Sequence, residues 1–187
     1  GPLACQNASA YDITSDTADA LQWVRDNAAE FGVQSGKVSL MGQSAGAHLS
    51  GWLLTHYPEQ IDRALLFYPP TDMADYLQQW LDNGLGDADD GFRALSKFLD
   101  LDQENYVWDE SLLADNSFPP MIENAPGDFP PVFIIHGGAD SLVPARQAVR
   151  LCSAYDGAIA SDFADLSNGT ESERVQSAKC GTDSELR

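Results

Sequence analysis

Hydrophobic positions along the chain follow two patterns, one extended and one helical. Residues 37–41, 64–68 and 132–136 are short β-prone segments rich in apolar side chains. Helices are predicted over residues 14–31, 47–56 and 144–155. The apolar stripe of the first helix contains Ala18, Leu21, Val24, Ala28 and Phe31, and Gly32 is expected to end it. Because apolar strands alternate with helices, the pattern predicts an α/β fold with a mainly parallel sheet and helices on both faces.

The segment from residue 72 to residue 128 departs from this alternation. Its aromatic and aliphatic residues are spread among acidic and turn residues, and none forms a run that fits a core strand. An insertion after the carboxyl end of a strand lies over the edge where α/β folds bind ligands. Two interpretations stay open: a small helical cap that shapes a substrate pocket, or a helical insertion that packs its aromatic residues against the sheet. Residues 1–187, this insertion included, are predicted to form one partial domain.

Composition narrows the possible partners. The 29 acidic residues outnumber the 10 basic ones and give a net charge of −19, which argues against a nucleic acid or an anionic membrane as partner. We interpret the charge as a solvated acidic surface. The sequence contains no apolar stretch of the length that spans a membrane. It also contains no phosphate loop, dinucleotide fingerprint or metal-ligand spacing, so no cofactor or metal is expected.

The most informative chemical feature is the sequence Gly42-Gln43-Ser44-Ala45-Gly46, between an extended segment and a predicted helix. A serine on a sharp strand-to-helix turn has strained dihedrals, and its Oγ is lifted out of the sheet. Larger side chains at positions 42 and 46 would collide with the neighbouring strand and helix, which explains the two glycines. The N–H of Ala45 would point at the oxygen of a reacting carbonyl. This context predicts a nucleophilic serine at position 44.

Three segments, DALQWVRDNAA at 19–29, GQSAGAHL at 42–49 and HGGADSLVP at 136–144, resemble the α/β-hydrolase superfamily in order and spacing. The carboxylesterase/lipase-like branch, with hormone-sensitive-lipase-type esterases and formamidase-like enzymes, is the most similar. The resemblance covers residues 14–155 apart from the insertion. It implies that Ser44 is the nucleophile, that the Ala45 N–H is an oxyanion donor, and that Asp140 is the acid that orients a catalytic histidine.

Two aspartates are candidates for the acid. A carboxylate in the loop beyond a buried strand, such as Asp140, can accept the Nδ1–H of an imidazole and stabilise the imidazolium. The alternative for Asp140 is a purely turn-forming role. Asp72, after the strand at 64–68, is the second candidate, and its alternative role is to cap the next helix.

The chain departs from the family pattern at the catalytic base. The family histidine follows the acid, whereas no histidine occurs after His136. We expect His48 to pack beneath the serine turn, His56 to lie at the end of its helix, and His136 to hold the Asp140 loop by a hydrogen bond. The family's Gly-rich oxyanion loop also has no counterpart before Thr14. We therefore expect an internal fragment that lacks the first strands and the end of the domain, and that is inactive by itself.

The cysteines suggest a compartment. Cys152 and Cys180 bracket the polar segment 158–179, and a disulfide that closes this loop would contribute about 3 kcal/mol. Such a bond indicates a periplasmic or secreted protein. The alternative is two unrelated thiols, and Cys5 is left over in either case.

The leading hypothesis is a serine hydrolase that cleaves small-molecule carboxylic esters through an acyl-enzyme on Ser44. An amide or formamide hydrolase and a carbohydrate deacetylase are alternatives, because the serine turn does not encode the leaving group. A non-catalytic binding protein with the α/β-hydrolase fold is the alternative from another class. The residues leave the oligomeric state open.

Overall fold

The computed structural model describes residues 8–32, 36–82, 95–100, 108–125 and 129–156, together with the backbone of 175–180. The helices, in chain order, are α1 (Ala10–Asp26), α2 (Ala45–His56), α3 (Met73–Asp82), α4 (Glu110–Asp115), α5 (Phe118–Asn124) and α6 (Arg146–Asp156). The strands are β1 (Val38–Gln43), β2 (Ile61–Phe67), β3 (Val132–Gly137) and β4 (Val175–Cys180), and a 3-10 turn at Pro58–Gln60 precedes β2. None of the helices in this part of the chain is long and apolar enough to cross a membrane.

The four strands form one sheet in the order β1-β2-β3-β4. β1 and β2 are parallel, as are β2 and β3, which confirms the predicted α/β class with a mainly parallel sheet. β4 pairs antiparallel with β3. Residues 175–179, the end of the polar segment 158–179, thus belong to a strand that the apolar pattern does not predict. The strand gave no hydrophobic signal because its backbone hydrogen bonds to β3 do not depend on apolar side chains.

The described residues divide into two compact units. The first contains α1, α3 and α4, and the second contains α2, α5, α6 and the sheet. In the first unit, α1 differs from the predicted helix 14–31. A capping box between Ser9 and Asp12 begins it at Ala10, and Asn27 caps its end. Val24 is 44% exposed and Phe31 60% exposed, so only part of the predicted stripe is buried.

The described residues of the segment 72–128 are mostly helical. In α3 the buried residues are Met73, Tyr76, Leu77 and Trp80, and α3 contacts α4 within the first unit. From Ser117 onward the segment belongs to the second unit. There the N–H of Phe118 donates to the carbonyl of Thr71 (2.8 Å). The cap interpretation of 72–128 stays a prediction.

The core of the second unit lies between α2 and the sheet. α2 is apolar on most of its surface, and residues 47, 48 and 50–55 are all buried. Leu66 of β2 and Ile134 of β3 are fully buried, whereas Met41 of β1 is 74% exposed. The strands thus bury one face more than the other. Since α2 begins directly after β1, this packing fixes the place of the residue that joins them.

Candidate active site

Ser44 is that joining residue, at the junction of β1 and α2. Its φ of 52° and ψ of −125° lie outside the regions that non-glycine residues favour, at a cost of roughly 1–3 kcal/mol. Its N–H donates to the carbonyl of Phe67 (3.0 Å), and its own carbonyl accepts the N–H groups of Ala47 (2.9 Å) and His48 (3.0 Å). The predicted strand-to-helix junction with strained dihedrals is confirmed, and Ser44 is partly exposed.

The two glycines of the motif have different surroundings. A Cβ on Gly42 would lie 2.3 Å from the carbonyl oxygen of Gly46 and 2.7 Å from the Cα of Ala47. These are backbone atoms that cannot move aside, so β1 and α2 approach each other as expected at Gly42. A Cβ on Gly46 would meet no atom within 4 Å. The predicted collision at position 46 is therefore wrong for the described residues, because Gly46 faces open space.

Ala45 is the first residue of α2 and is exposed. Its N–H is one of the first four of the helix, which have no partner within the helix. The helix dipole makes this end electropositive. The N–H beside Ser44 therefore lies where it can stabilise negative charge on a bound oxygen.

Asp140 lies in the loop after β3. Its Oδ1 accepts the N–H groups of Leu142 (3.0 Å) and Val143 (2.9 Å), which is the turn-forming role named as the alternative. Its side chain is 24% exposed, and Oδ2 lies 3.9 Å from His136 Nε2, beyond hydrogen-bond distance. The loop thus occupies one carboxylate oxygen and leaves the other able to accept a further donor. The turn role and the acid role are compatible.

His136, at the end of β3, is hydrogen-bonded to the loop that contains Asp140. It is fully buried, and its Nε2–H donates to the carbonyl of Val143 (2.7 Å), which confirms the expected role of holding the loop. Its Nδ1 is buried without a hydrogen-bond partner among the described residues. Burial lowers the pKa of His136, against smaller opposing effects of the Val143 carbonyl and of the Asp140 charge. The ring is therefore neutral, and the proton lies on Nε2.

His136 predicts an acid-sensitive stability. Between its lowered pKa and the ordinary value near 6.5, the unfolded chain binds more protons than the folded one, so the free energy of unfolding should fall as the pH drops from 7 into that window. His136→Gln, which keeps a donor for Val143, should reduce this fall. Urea unfolding at pH 7 and 5.5 measures the difference, with His56→Gln as control. An unchanged pH dependence in His136→Gln would contradict the prediction.

His48 and His56 are both engaged through Nδ1. In His48 the Nδ1–H donates to the carbonyl of Pro70 (2.9 Å), and the ring stacks on Phe118 at 4.9 Å. This buried position, one turn into α2, is the predicted packing beneath the serine turn. In His56 the Nδ1–H donates to the carbonyl of Trp52 (2.8 Å) at the end of α2, also as expected.

Asp72, the second candidate acid, is part of a buried polar network. Its Oδ2 accepts a hydrogen bond from Nε of Arg150 (2.7 Å) and lies 2.6 Å from Nη2 of the same side chain. The Asp72 side chain is only 3% exposed. The buried Oε1 of Gln147 accepts the N–H groups of Thr71 (2.9 Å) and Asp72 (2.8 Å). No sequence pattern predicts this pairing, since the partners are more than 70 positions apart. Asp72 is thus paired with an arginine, whereas Asp140 Oδ1 accepts backbone N–H groups of its own loop.

Removal of the Arg150 guanidinium should be costly, because the Asp72 carboxylate would stay buried without its cation. Because the Arg150 side chain is 39% exposed, we expect Arg150→Met to lower the free energy of unfolding by about 2 kcal/mol, less than the loss of a fully buried partner would cost. The exposed Arg146 on the same helix provides the control, since Arg146→Met should cost less than about 1 kcal/mol. Urea titration measures both variants. Equal effects would mean that the Asp72 pair contributes no more than a surface charge.

The fold places Ser44 and Asp140 at the same end of the sheet, the end where the parallel strands have their carboxyl termini. Ser44 follows β1 and Asp140 lies three residues after β3, and both strands flank β2 in parallel. Sequence reasoning missed a further residue at this end of the sheet. Tyr68 follows β2 with a φ of 39°. A tyrosine before proline gives no hint of this, because a following proline favours extended backbone with negative φ.

Comparison with known proteins agrees with this geometry. The chain is similar to the esterase LipQ of Mycobacterium tuberculosis, with 28% identity over 82% of this chain and 37% of that protein. It is also similar to the solved thermophilic esterase Est2 of Thermogutta terrifontis, with a TM-score of 0.56 and 25% identity over 83% of this chain and 52% of that one. An acetyl ester-xyloside bifunctional hydrolase from Caldicellulosiruptor lactoaceticus has a TM-score of 0.61 at 20% identity, over 80% of this chain and 52% of that one.

The chain spans about a third of the length of LipQ and about half of the length of each of the two solved structures. The fold of the solved esterases confirms the resemblance to α/β-hydrolases that the three sequence segments implied. The sequence profile of the BD-FAE family matches residues 4–155, which is most of the chain. Fold and profile together establish that the chain belongs to the BD-FAE family, which is of the α/β-hydrolase type.

Proposed function

We propose that the whole protein containing this chain is a serine hydrolase that cleaves small-molecule carboxylic esters. The observation that carries the proposal is the strained Ser44 between β1 and the N-terminus of α2. Strain of this kind persists only where the surrounding structure imposes it, and it clusters at active sites. The names of the similar proteins LipQ and Est2, both esterases, support the same reaction class.

In the proposed reaction, Ser44 Oγ attacks the ester carbonyl carbon and transfers its proton to a histidine base. The carbonyl oxygen takes up the negative charge and accepts the Ala45 N–H. Collapse of the tetrahedral intermediate breaks the carbon–oxygen bond, and the base returns the proton to the leaving alkoxide. Water then hydrolyses the acyl-enzyme by the same steps.

Asp140 completes the proposed triad. Its Oδ2, which the loop does not use, would accept the Nδ1–H of the catalytic histidine and stabilise the imidazolium. None of the three histidines of this chain suits the role of base: His48 and His136 are buried, and His56 is the last residue of α2, about 18 Å along the helix from Ser44. We therefore propose that the base is a histidine of the whole protein other than these three.

A fluorophosphonate probe tests this proposal directly. The whole protein should be labelled once, and peptide mass spectrometry should locate the label on Ser44. Ser44→Ala should abolish labelling, whereas Ser39→Ala, which removes an exposed serine from β1, should leave it intact. Absence of labelling in the wild-type protein would favour a non-catalytic binding protein.

The bond that is cleaved needs a second measurement. Hydrolysis of p-nitrophenyl acetate and of its amide analogue p-nitroacetanilide should be compared under the same conditions. We expect turnover of the ester and much slower turnover of the anilide. Faster turnover of the anilide would favour the amide hydrolase. Release of acetate from acetylated xylo-oligosaccharide, but not from the nitrophenyl ester, would favour the carbohydrate deacetylase.

We also propose a disulfide between Cys152 and Cys180 and, with it, a periplasmic or secreted location. Cys152 is fully buried on α6, which contacts β4, the strand that ends at Cys180. Thiol titration of the unfolded protein, purified without reductant, should find these two cysteines unreactive until a reductant is added. Two freely reactive thiols would contradict both the bond and the oxidising compartment.

A further inference from the structure

Two adjacent strands end in the same unusual way. Ser44 follows β1 with a φ of 52°, and Tyr68 follows β2 with a φ of 39°. The residues directly before them, Gln43 and Phe67, are register partners in the parallel ladder. A bulky residue rarely adopts positive φ, so the surrounding structure must hold Tyr68 in this conformation.

The peptide unit between Phe67 and Tyr68 links the three parallel strands. Its carbonyl accepts the N–H of Ser44 (3.0 Å), and its N–H donates to the carbonyl of Ile135 (2.8 Å). The φ of Tyr68 fixes the orientation of this peptide relative to the chain that follows. The Phe67 carbonyl, which accepts the N–H of Ser44, therefore lies next to the strained backbone of Tyr68.

The Tyr68 side chain makes a second contact with the end of β1. Its hydroxyl donates to Oε1 of Gln43 (2.6 Å), a short hydrogen bond to the residue directly before Ser44. A backbone bond at Ser44 and a side-chain bond at the preceding Gln43 thus tie the ends of β1 and β2 together. The side-chain bond is exposed to solvent, so it contributes little to global stability.

We infer that Tyr68 and Gln43 form a brace that positions Ser44 for attack, and this inference rests on the proposed role of Ser44 as nucleophile. Both are positioning residues, because they act through the backbone of the serine turn. The brace restricts the serine turn to one conformation, so that Oγ and the Ala45 N–H keep their mutual orientation. Its loss should slow the chemical step and leave substrate binding nearly unchanged.

A double-mutant cycle in the whole protein tests the brace. Tyr68→Phe removes the hydroxyl donor, and Gln43→Met replaces the amide that accepts it with an apolar side chain of similar length. Each should lower kcat for p-nitrophenyl acetate, and the rate of fluorophosphonate labelling, by about tenfold, less than the 10²-fold that a 1 Å misplacement costs. KM should change by less than about twofold, and the double variant should be no slower than either single variant. Complete labelling at long times would show that every molecule is folded.

Two further variants make the result specific. Gln43→Glu keeps an oxygen acceptor for Tyr68 and should restore most of the rate. Tyr155→Phe removes another tyrosine hydroxyl bond of the same unit, to the carbonyl of Pro130 (2.8 Å), and should leave the rate unchanged.

Additive effects in the cycle, or a Gln43→Glu variant as slow as Gln43→Met, would overturn the brace. So would single variants with normal rates in a protein that Ser44→Ala inactivates, and the proposed function would then stand. Full activity in Ser44→Ala would overturn the proposed function and the inference with it.

Discussion

Replacement of Asp140 by asparagine in the whole protein is expected to lower kcat for an ester by about 10⁴-fold. The amide retains an oxygen for the N–H groups of Leu142 and Val143, so the loop after β3 should keep its shape. It loses the negative charge that would stabilise the imidazolium. Steady-state kinetics with p-nitrophenyl acetate measures the effect, with Ser44→Ala as the reference for complete loss of the triad.

Asp72→Asn provides the matched comparison, since Asp72 was the second candidate for the acid. Its carboxylate is already paired with Arg150 and is only 3% exposed. We expect this variant to lose stability and to keep kcat within about threefold of wild type, because triad members and structural residues differ in their effect on the chemical step. A large loss of kcat in Asp72→Asn, with little change in Asp140→Asn, would assign the acid to Asp72.

Gly42→Ala is expected to destabilise the protein strongly, by at least about 3 kcal/mol. The added methyl group would lie 2.3 Å from the Gly46 carbonyl oxygen and 2.5 Å from its carbonyl carbon. Relief of this overlap requires β1 and α2 to move apart, which disrupts the packing between them. The free energy of unfolding in urea measures the loss.

Gly46→Ala is the control, because it adds the same methyl group two residues after Ser44 into open space. Alanine has a higher helix propensity than glycine, so a change between zero and about +1 kcal/mol in stability is expected. If both variants lost stability equally, the close approach at Gly42 would not be the reason for the glycine there.

The parts of the fold that the sequence predicted are those with local causes. The three parallel strands occur where apolar segments placed them, within a few residues. The serine turn was predictable because a strained junction demands particular residues on either side. Loop support by His136 followed from its place next to Gly137, at the end of its strand.

The parts that failed depend on distant contacts or on capping. Phe31 lies beyond the end of α1 at Asp26 and is exposed, and Val24 lies within α1 yet is itself 44% exposed. The pairing of Asp72 with Arg150 joins residues far apart in the chain. The positive φ of Tyr68 occurs at a peptide that hydrogen-bonds to both neighbouring strands, and local propensity opposes it.

The strand that precedes Ser44, β1, affects how the isolated chain behaves at high concentration. In the described residues β1 pairs with β2 alone, so one row of its backbone N–H and C=O groups has no neighbouring strand. Met41, in the middle of β1, is 74% exposed. An open edge with apolar side chains is a template for pairing with another chain. Self-association of the isolated chain would therefore begin at β1, the strand that precedes Ser44.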